Sequence, residues 1–292
     1  MTTRAQWVAG ARPRTLPAAF APVIAGSALA GYAGRFSAPV ALLALVVSVA
    51  LQIGVNYAND YSDGIRGTDA VRVGPLRLVG SGLARPTAVR AAAVGCFAVA
   101  GLAGVVLVVL THHWWLLAVG AASIAAAWYY TGGRRPYGYR GLGELFVFVF
   151  FGLVAVGGTA YLQTGGLTAP VLLTGVAVGA LACAILVANN LRDLRGDAAV
   201  GKRTLATRLG DRRTRLFYVA LAALAAVMIV LVAALTTWGA LLGLAGLAVI
   251  LPAVRTVLSG AQGPELIAVL RSTGLAELAT AVTFAIGLLA GS

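Results

Sequence analysis

Nine apolar runs of roughly 20 residues dominate the 292-residue chain, at about 16–34, 38–59, 87–110, 113–131, 142–163, 168–191, 216–235, 238–258 and 266–290. A run of that length matches a helix crossing a hydrocarbon layer about 30 Å thick. Inside lipid every backbone N–H and C=O needs an internal partner, which leaves helices or a closed barrel. A barrel requires strands of alternating polarity, and these runs do not alternate. The chain is 60% hydrophobic and 11% charged, against roughly 25% charged in soluble domains, so one globular core cannot hide the excess apolar surface. The expected fold is all-α and polytopic: one transmembrane domain over residues 1–292 with nine spanning helices.

The connections sort by charge. The short loops near 35–37, 111–112, 164–167 and 236–237 contain one basic residue, Arg35. The N-terminal arm and the loops near 60–86, 132–141, 192–215 and 255–271 hold nearly all the others, with Arg90 at a helix start. Strict alternation of basic and neutral loops predicts a cytoplasmic N-terminus and, after nine spans, a C-terminus outside. The net charge of +13 is then topological and does not indicate nucleic acid. Cys96 and Cys183 lie within apolar runs and read as small core residues, not a disulfide or a metal pair. His112 and His113 read as an interfacial pair, and the five tryptophans fall near span ends, as an aromatic belt does. Residues 1–17 lack the short apolar segment of a cleaved leader.

Against this background two polar stretches stand out. Residues 56–69 read NYANDYSDGIRGTD and residues 189–197 read NNLRDLRGD, each following an apolar run. The chain has nine acidic residues, and Asp60, Asp63, Asp69, Asp193 and Asp197, five of the nine, lie here. On a helix Asn56 and Asp60 share a face, as do Asn59 with Asp63, and Asn189 with Asp193 and Asp197. Carboxylates this close repel unless a positive charge lies between them. Hard oxygen ligands of this kind suit Mg²⁺, which binds through one or two carboxylates, water and substrate phosphates. Two facing clusters would hold two ions with a diphosphate between them, and Arg66, Arg72, Arg77 and Lys202 stand near enough to complete such a site. Two other readings stay open here: solvated loop charges with capping asparagines, or part of a cation or metabolite transport pathway. The membrane phosphotransferase signature Asp-Gly-x-x-Ala-Arg is not met at Asp63-Gly64-Ile65-Arg66.

The pattern Asp60-x-x-Asp63 with Asp69, paired with Asp193-x-x-x-Asp197-x-x-x-x-Lys202, resembles the two aspartate-rich motifs of the UbiA superfamily of intramembrane prenyltransferases. NYANDYSDGIRGTD, RVGPLRLVGSG, YTGGRRPYGYRGLGE and NNLRDLRGD…GKRTLATRLG resemble, more narrowly, its actinobacterial branch acting on 1,4-dihydroxy-2-naphthoate. The resemblance implies nine helices capped by cytosolic loops (about 60–86, 132–141 and 192–215) in a bacterial plasma membrane. It implies Mg²⁺-dependent transfer of a C40–C50 polyprenyl group from its diphosphate to the naphthoate, with loss of diphosphate and CO₂, giving demethylmenaquinone. Other acceptors of the superfamily, such as 4-hydroxybenzoate or homogentisate, are the nearest alternative. Carried over by residue, Asp60, Asp63, Asp193 and Asp197 hold the metal, assisted by Asn56 or Asn59 and by Asn189. Lys202, Arg66 and Arg77 contact diphosphate, with Tyr130 and Arg134 or Arg135 beside it. Arg14 and Glu144 are the candidates for the aromatic acid. A third acid of the second motif is replaced by Gly201, so that cluster is expected to offer two carboxylates.

Overall fold

The computed structural model describes residues 2–67 and 76–292; Asp69 and Arg72 lie outside them. The described residues form helices and connecting turns without a strand. In chain order the helices are α1 (Arg4–Ala11), α2 (Pro17–Tyr32), α3 (Ala38–Arg66), α4 (Pro86–Thr111), α5 (Leu116–Tyr129), α6 (Gly143–Thr164), α7 (Ala169–Ala199), α8 (Leu205–Leu235), α9 (Trp238–Leu258) and α10 (Gly263–Ala290).

Seven of these, α3, α4 and α6–α10, are long and apolar enough to cross a membrane. An eighth is obtained if α1 with its following turn and α2, which meet at 49°, count as one broken span. The expected fourth span is shorter than its run: α5 has 14 residues, about 21 Å at 1.5 Å per residue. It begins only after Trp114 and Trp115, because His112 ends α4 in a left-handed conformation with φ 59°.

Three helices, α3, α7 and α8, are longer than expected, and the first two place the site. α3 has 29 residues and α7 has 31, about 43 and 46 Å, more than the hydrocarbon layer requires. Their excess turns are the two polar stretches, which therefore continue as helix past the apolar layer. In α8 the first turns are separated from the rest at Gly210, whose φ of 75° and ψ of 172° break the helix. Only glycine takes that conformation without strain.

α7 is the central helix. In its most apolar window 72% of residues are buried, against 28–50% in the other spans. It presents Ala177, Ala180, Ala184 and Ala188 to a core shared with Tyr218, Leu221, Ala225, Val257 and Leu266. Small residues let helix backbones approach where lipid supplies no hydrophobic drive for association. The approach to α6 is closest at Gly152, where a Cβ would lie 2.4 Å from the Gly175 carbonyl oxygen. Gly152 sits in a π-helical stretch, Phe148–Val154. On α4, by contrast, Leu102, Val106, Val109 and Leu110 remain exposed, as a lipid-facing surface requires.

Candidate active site

One cavity of about 870 Å³ receives both polar stretches. α3 contributes Asn56, Asn59 and Asp63 to its wall, α7 contributes Asn189, Asn190, Arg192, Asp193 and Asp197, and the connections add Arg77, Tyr139 and Lys202. Below this polar end the wall is apolar, with Val105, Leu117, Phe146, Phe150 and Phe151 among its residues. Arg12, Arg14 and Arg271 also line it.

The carboxylates are held by internal cations and phenols. Asp63 accepts a hydrogen bond from the Tyr139 hydroxyl at 2.5 Å and pairs with Arg77 at 3.4 Å. Asp193 meets the guanidinium fork of Arg192 at 2.7 Å on both oxygens. Arg192 also donates to Asn189 Oδ1 at 2.9 Å. Asp197 faces Lys202 Nζ at 3.6 Å, and that ammonium lies 4.6 Å from the centre of the Tyr139 ring. Tyr139 thus touches groups belonging to both stretches.

The asparagines divide their work. Asn56 donates to Ala11 O at 2.9 Å and to Thr15 Oγ1 at 3.0 Å, and Gln52 donates to the same hydroxyl at 2.8 Å. These bonds fix the turn after α1, in which Arg12 adopts a left-handed φ of 55°. Asn59 accepts from Thr131 at 2.7 Å, tying α3 to the loop after α5. In that loop Tyr137 stacks on Phe146 at 3.9 Å and donates to Ala126 O at 2.8 Å. Burial pushes its phenol well above the usual range, so it stays a donor.

Of the fifteen expected site residues, Arg14, Asn56, Asn59, Asp63, Arg77, Tyr130, Asn189, Asp193, Asp197 and Lys202 line the cavity. Five do not, each for an identifiable reason. Asp60 is 1% exposed and accepts from the backbone N–H groups of Leu78 (2.7 Å) and Val79 (3.0 Å). It anchors the loop that carries Arg77. Arg66 donates to the carbonyls of Thr131 and Gly133, bracing the end of α3 against the next loop. Arg134 and Arg135 are exposed on that loop. Glu144 is buried behind the wall, where Oε1 accepts from Asn190 at 2.9 Å. Arg192, Asn190 and Tyr139 were not expected, although all three lie within the singled-out segments.

The UbiA prenyltransferase family model matches residues 19–265. The chain belongs to that family. It is 55% identical over 285 residues to 1,4-dihydroxy-2-naphthoate octaprenyltransferase of Mycobacterium tuberculosis, covering 98% of this chain and 97% of the relative. Its fold is similar to the apo structure of a UbiA homolog from Aeropyrum pernix K1 (TM-score 0.67, 17% identity, 94% and 97% of the two chains). It is also similar to a UbiA homolog from Archaeoglobus fulgidus bound to GPP and Mg²⁺ (TM-score 0.64, 12% identity, 98% and 99%).

The donor set bears on which metal such a family member can hold. Among the described residues no three His, Cys, Asp or Glu side chains converge on one point. That excludes an all-protein cage built from them, but it suits an ion that takes one or two carboxylates and completes its shell with water and phosphate. Asp63, Asp193, Asp197 and the neighbouring carboxamides supply hard oxygens of that kind. His113 packs against Tyr161 at 4.7 Å, and neither His112 nor His113 lines the cavity. Cys96 and Cys183 are free thiols, as expected.

Proposed function

We propose that this multi-pass membrane protein transfers a polyprenyl group from polyprenyl diphosphate to 1,4-dihydroxy-2-naphthoate. Diphosphate and CO₂ are released, and demethylmenaquinone is formed in its quinol state. The observation that carries this reading is the single cavity with a polar end built from both acidic stretches and an apolar body below it. A prenyl diphosphate has the same division, a trianionic head on a hydrocarbon tail. The 55% identity over nearly the whole chain supports the naphthoate acceptor.

Asp63, Asp193 and Asp197, with Asn59 and Asn189, would hold Mg²⁺, two ions in our reading, which when bound would supply positive charge to offset that of the diphosphate leaving group. Arg77 and Lys202 reach the same space and bind the diphosphate oxygens, and Tyr130 lines the wall beside them. As the allylic C–O bond breaks, its electron pair leaves with the diphosphate, and these fixed cations stabilise the charge that develops there. The electron-rich ring carbon that bears the carboxylate then attacks the allylic cation, and the ring–carboxylate bond breaks, its electron pair restoring the aromatic ring as CO₂ leaves. Arg14 is placed on the wall to pair with the acceptor carboxylate, and Glu144 acts on the acceptor side through Asn190. Asp60 holds the Arg77 loop, Arg66 braces the 131–133 loop, and exposed Arg134 and Arg135 attract the anionic substrate from outside.

The whole chain acts as one transmembrane domain of nine spans, with α5 as a short fourth. In this reading the polar end of the cavity lies at the cytoplasmic face of a bacterial plasma membrane, which the basic charge of the connections on that side supports. The apolar body takes a C40–C50 chain. The reading is tested by supplying purified protein in lipid nanodiscs with Mg²⁺, an octaprenyl diphosphate and, in turn, 1,4-dihydroxy-2-naphthoate, 4-hydroxybenzoate and homogentisate. Prenylated product from the naphthoate, lost on chelation with EDTA, is expected. Product from another acceptor alone would overturn the assignment.

A further inference from the structure

Gln52 has no part in the reaction as described so far, yet it belongs to the cavity wall and is 6% exposed. It lies on α3 about three helical turns, or ~16 Å, from Asp63. Its Nε2 donates to Thr15 Oγ1, while its Oε1 is buried and has no hydrogen-bond partner among the described residues.

The orientation of this carboxamide follows from Thr15. That hydroxyl has one proton, which it gives to Arg12 O at 2.9 Å. Its lone pairs receive Gln52 Nε2 at 2.8 Å and Asn56 Nδ2 at 3.0 Å. Gln52 must therefore present an N–H to Thr15, and its carbonyl oxygen is left as an acceptor in need of a donor. Buried polar atoms in native proteins are nearly always paired, so this oxygen calls for an explanation. Thr15 follows Arg14 in the chain, and Arg14 lines the same wall. The oxygen thus belongs to the part of the cavity where the acceptor carboxylate is placed above.

The acceptor has a donor to offer there. In 1,4-dihydroxy-2-naphthoate the C1 hydroxyl stands next to the carboxylate and bonds to it internally. The C4 hydroxyl has no such internal partner and is free to donate. We infer that Gln52 reads the acceptor by accepting a hydrogen bond from its C4 hydroxyl at Oε1, which makes Gln52 a specificity-determining residue. This rests on the naphthoate reading above and deepens it. A site built to bond a substrate hydroxyl rejects the analogue lacking it, because its own buried polar atom is then unpaired.

The test uses the full-length protein in nanodiscs, with Mg²⁺ and inorganic diphosphate filling the donor end so that binding is read without turnover. Calorimetry under nitrogen compares 1,4-dihydroxy-2-naphthoate with 1-hydroxy-2-naphthoate, which lacks only the C4 hydroxyl. Wild type is expected to bind the dihydroxy acid at least about tenfold more tightly. In Gln52→Leu that preference should fall below about threefold. Gln52→Asn, which withdraws the carbonyl by one methylene, should lose the preference as well. It carries the test if Gln52→Leu does not fold, with thermal melting as the control. A merely structural role for Gln52, through Thr15, would weaken both acids alike and leave their ratio unchanged. Equal binding of the two acids by wild type would overturn the inference alone, as would retention of the tenfold preference in the folded variants. Failure of wild type to bind either acid would overturn it together with the proposed acceptor.

Discussion

The Tyr139 hydroxyl donates to Asp63 Oδ1 at 2.5 Å. This bond joins the loop after α5 to the carboxylate of α3, while the same ring faces Lys202 from the second stretch. A hydrogen bond to a charged group contributes about 1.5–3 kcal/mol, so Tyr139→Phe should lower kcat/KM by roughly tenfold to a hundredfold. Tyr139→Ala should lower it further, because the cation–π contact with Lys202 is lost as well. Steady-state kinetics with both variants, at unchanged melting temperature, checks this.

Asp60 and Asp63 lie one helical turn apart but should behave differently. Asp60→Ala leaves the buried amides of Leu78 and Val79 without their acceptor, which costs about 1–3 kcal/mol each. The expected result is a lower melting temperature and faster proteolysis of the following loop. Asp63→Asn keeps the fold and removes a charge from the cavity wall. Its melting temperature should match wild type while turnover falls by a hundredfold or more.

Two of the arginines assigned to diphosphate from the sequence, Arg66 and Arg77, separate in the same way. Arg77 lines the cavity, whereas Arg66 is spent on the Thr131 and Gly133 carbonyls. Arg77→Ala should raise KM for the prenyl diphosphate by tenfold or more. Arg66→Ala should lower thermal stability, with a KM change of less than threefold.

Glu144 accepts a hydrogen bond from Asn190 of the cavity wall, and the proposed acceptor-side role of Glu144 is tested through that bond. Glu144→Gln retains an oxygen to accept from Asn190 and should stay within about threefold of wild type. Glu144→Leu frees the Asn190 amide, and the effect should appear as a raised KM for the naphthoate with KM for the prenyl diphosphate unchanged. Separate titration of each substrate reads the difference.

Much of this was legible in the sequence because lipid thickness imposes a length that polarity reveals. Seven of the apolar runs fall on α3, α4 and α6–α10, and the two polar stretches do meet at one cavity. The helix ends were harder to read. Residues 60–66 and 192–199 are polar because they extend beyond the hydrocarbon, and in a sequence a polar helical turn looks like a loop. Roles within the motifs were also hidden. Asp60 and Asp63 are chemically identical, and only the fold brings the Leu78 and Val79 amides onto one and the cavity onto the other. Arg192 and Arg195 are likewise indistinguishable by type. Helical phase turns Arg192 toward the cavity wall and leaves Arg195 off it. The brevity of α5 was masked because residues 113–131 are apolar throughout, although their first turn is spent on leaving α4.

The central claim is that both polar stretches serve one diphosphate site. An experimental structure with Mg²⁺ and a non-hydrolysable prenyl thiodiphosphate tests it most directly. The account predicts diphosphate density bounded by Asp63 on one side and Asp193, Asp197 and Lys202 on the other, with the prenyl chain running along Phe146 and Phe150. Diphosphate bound by one stretch alone, or on the exposed loop at Arg134 and Arg135, would contradict it.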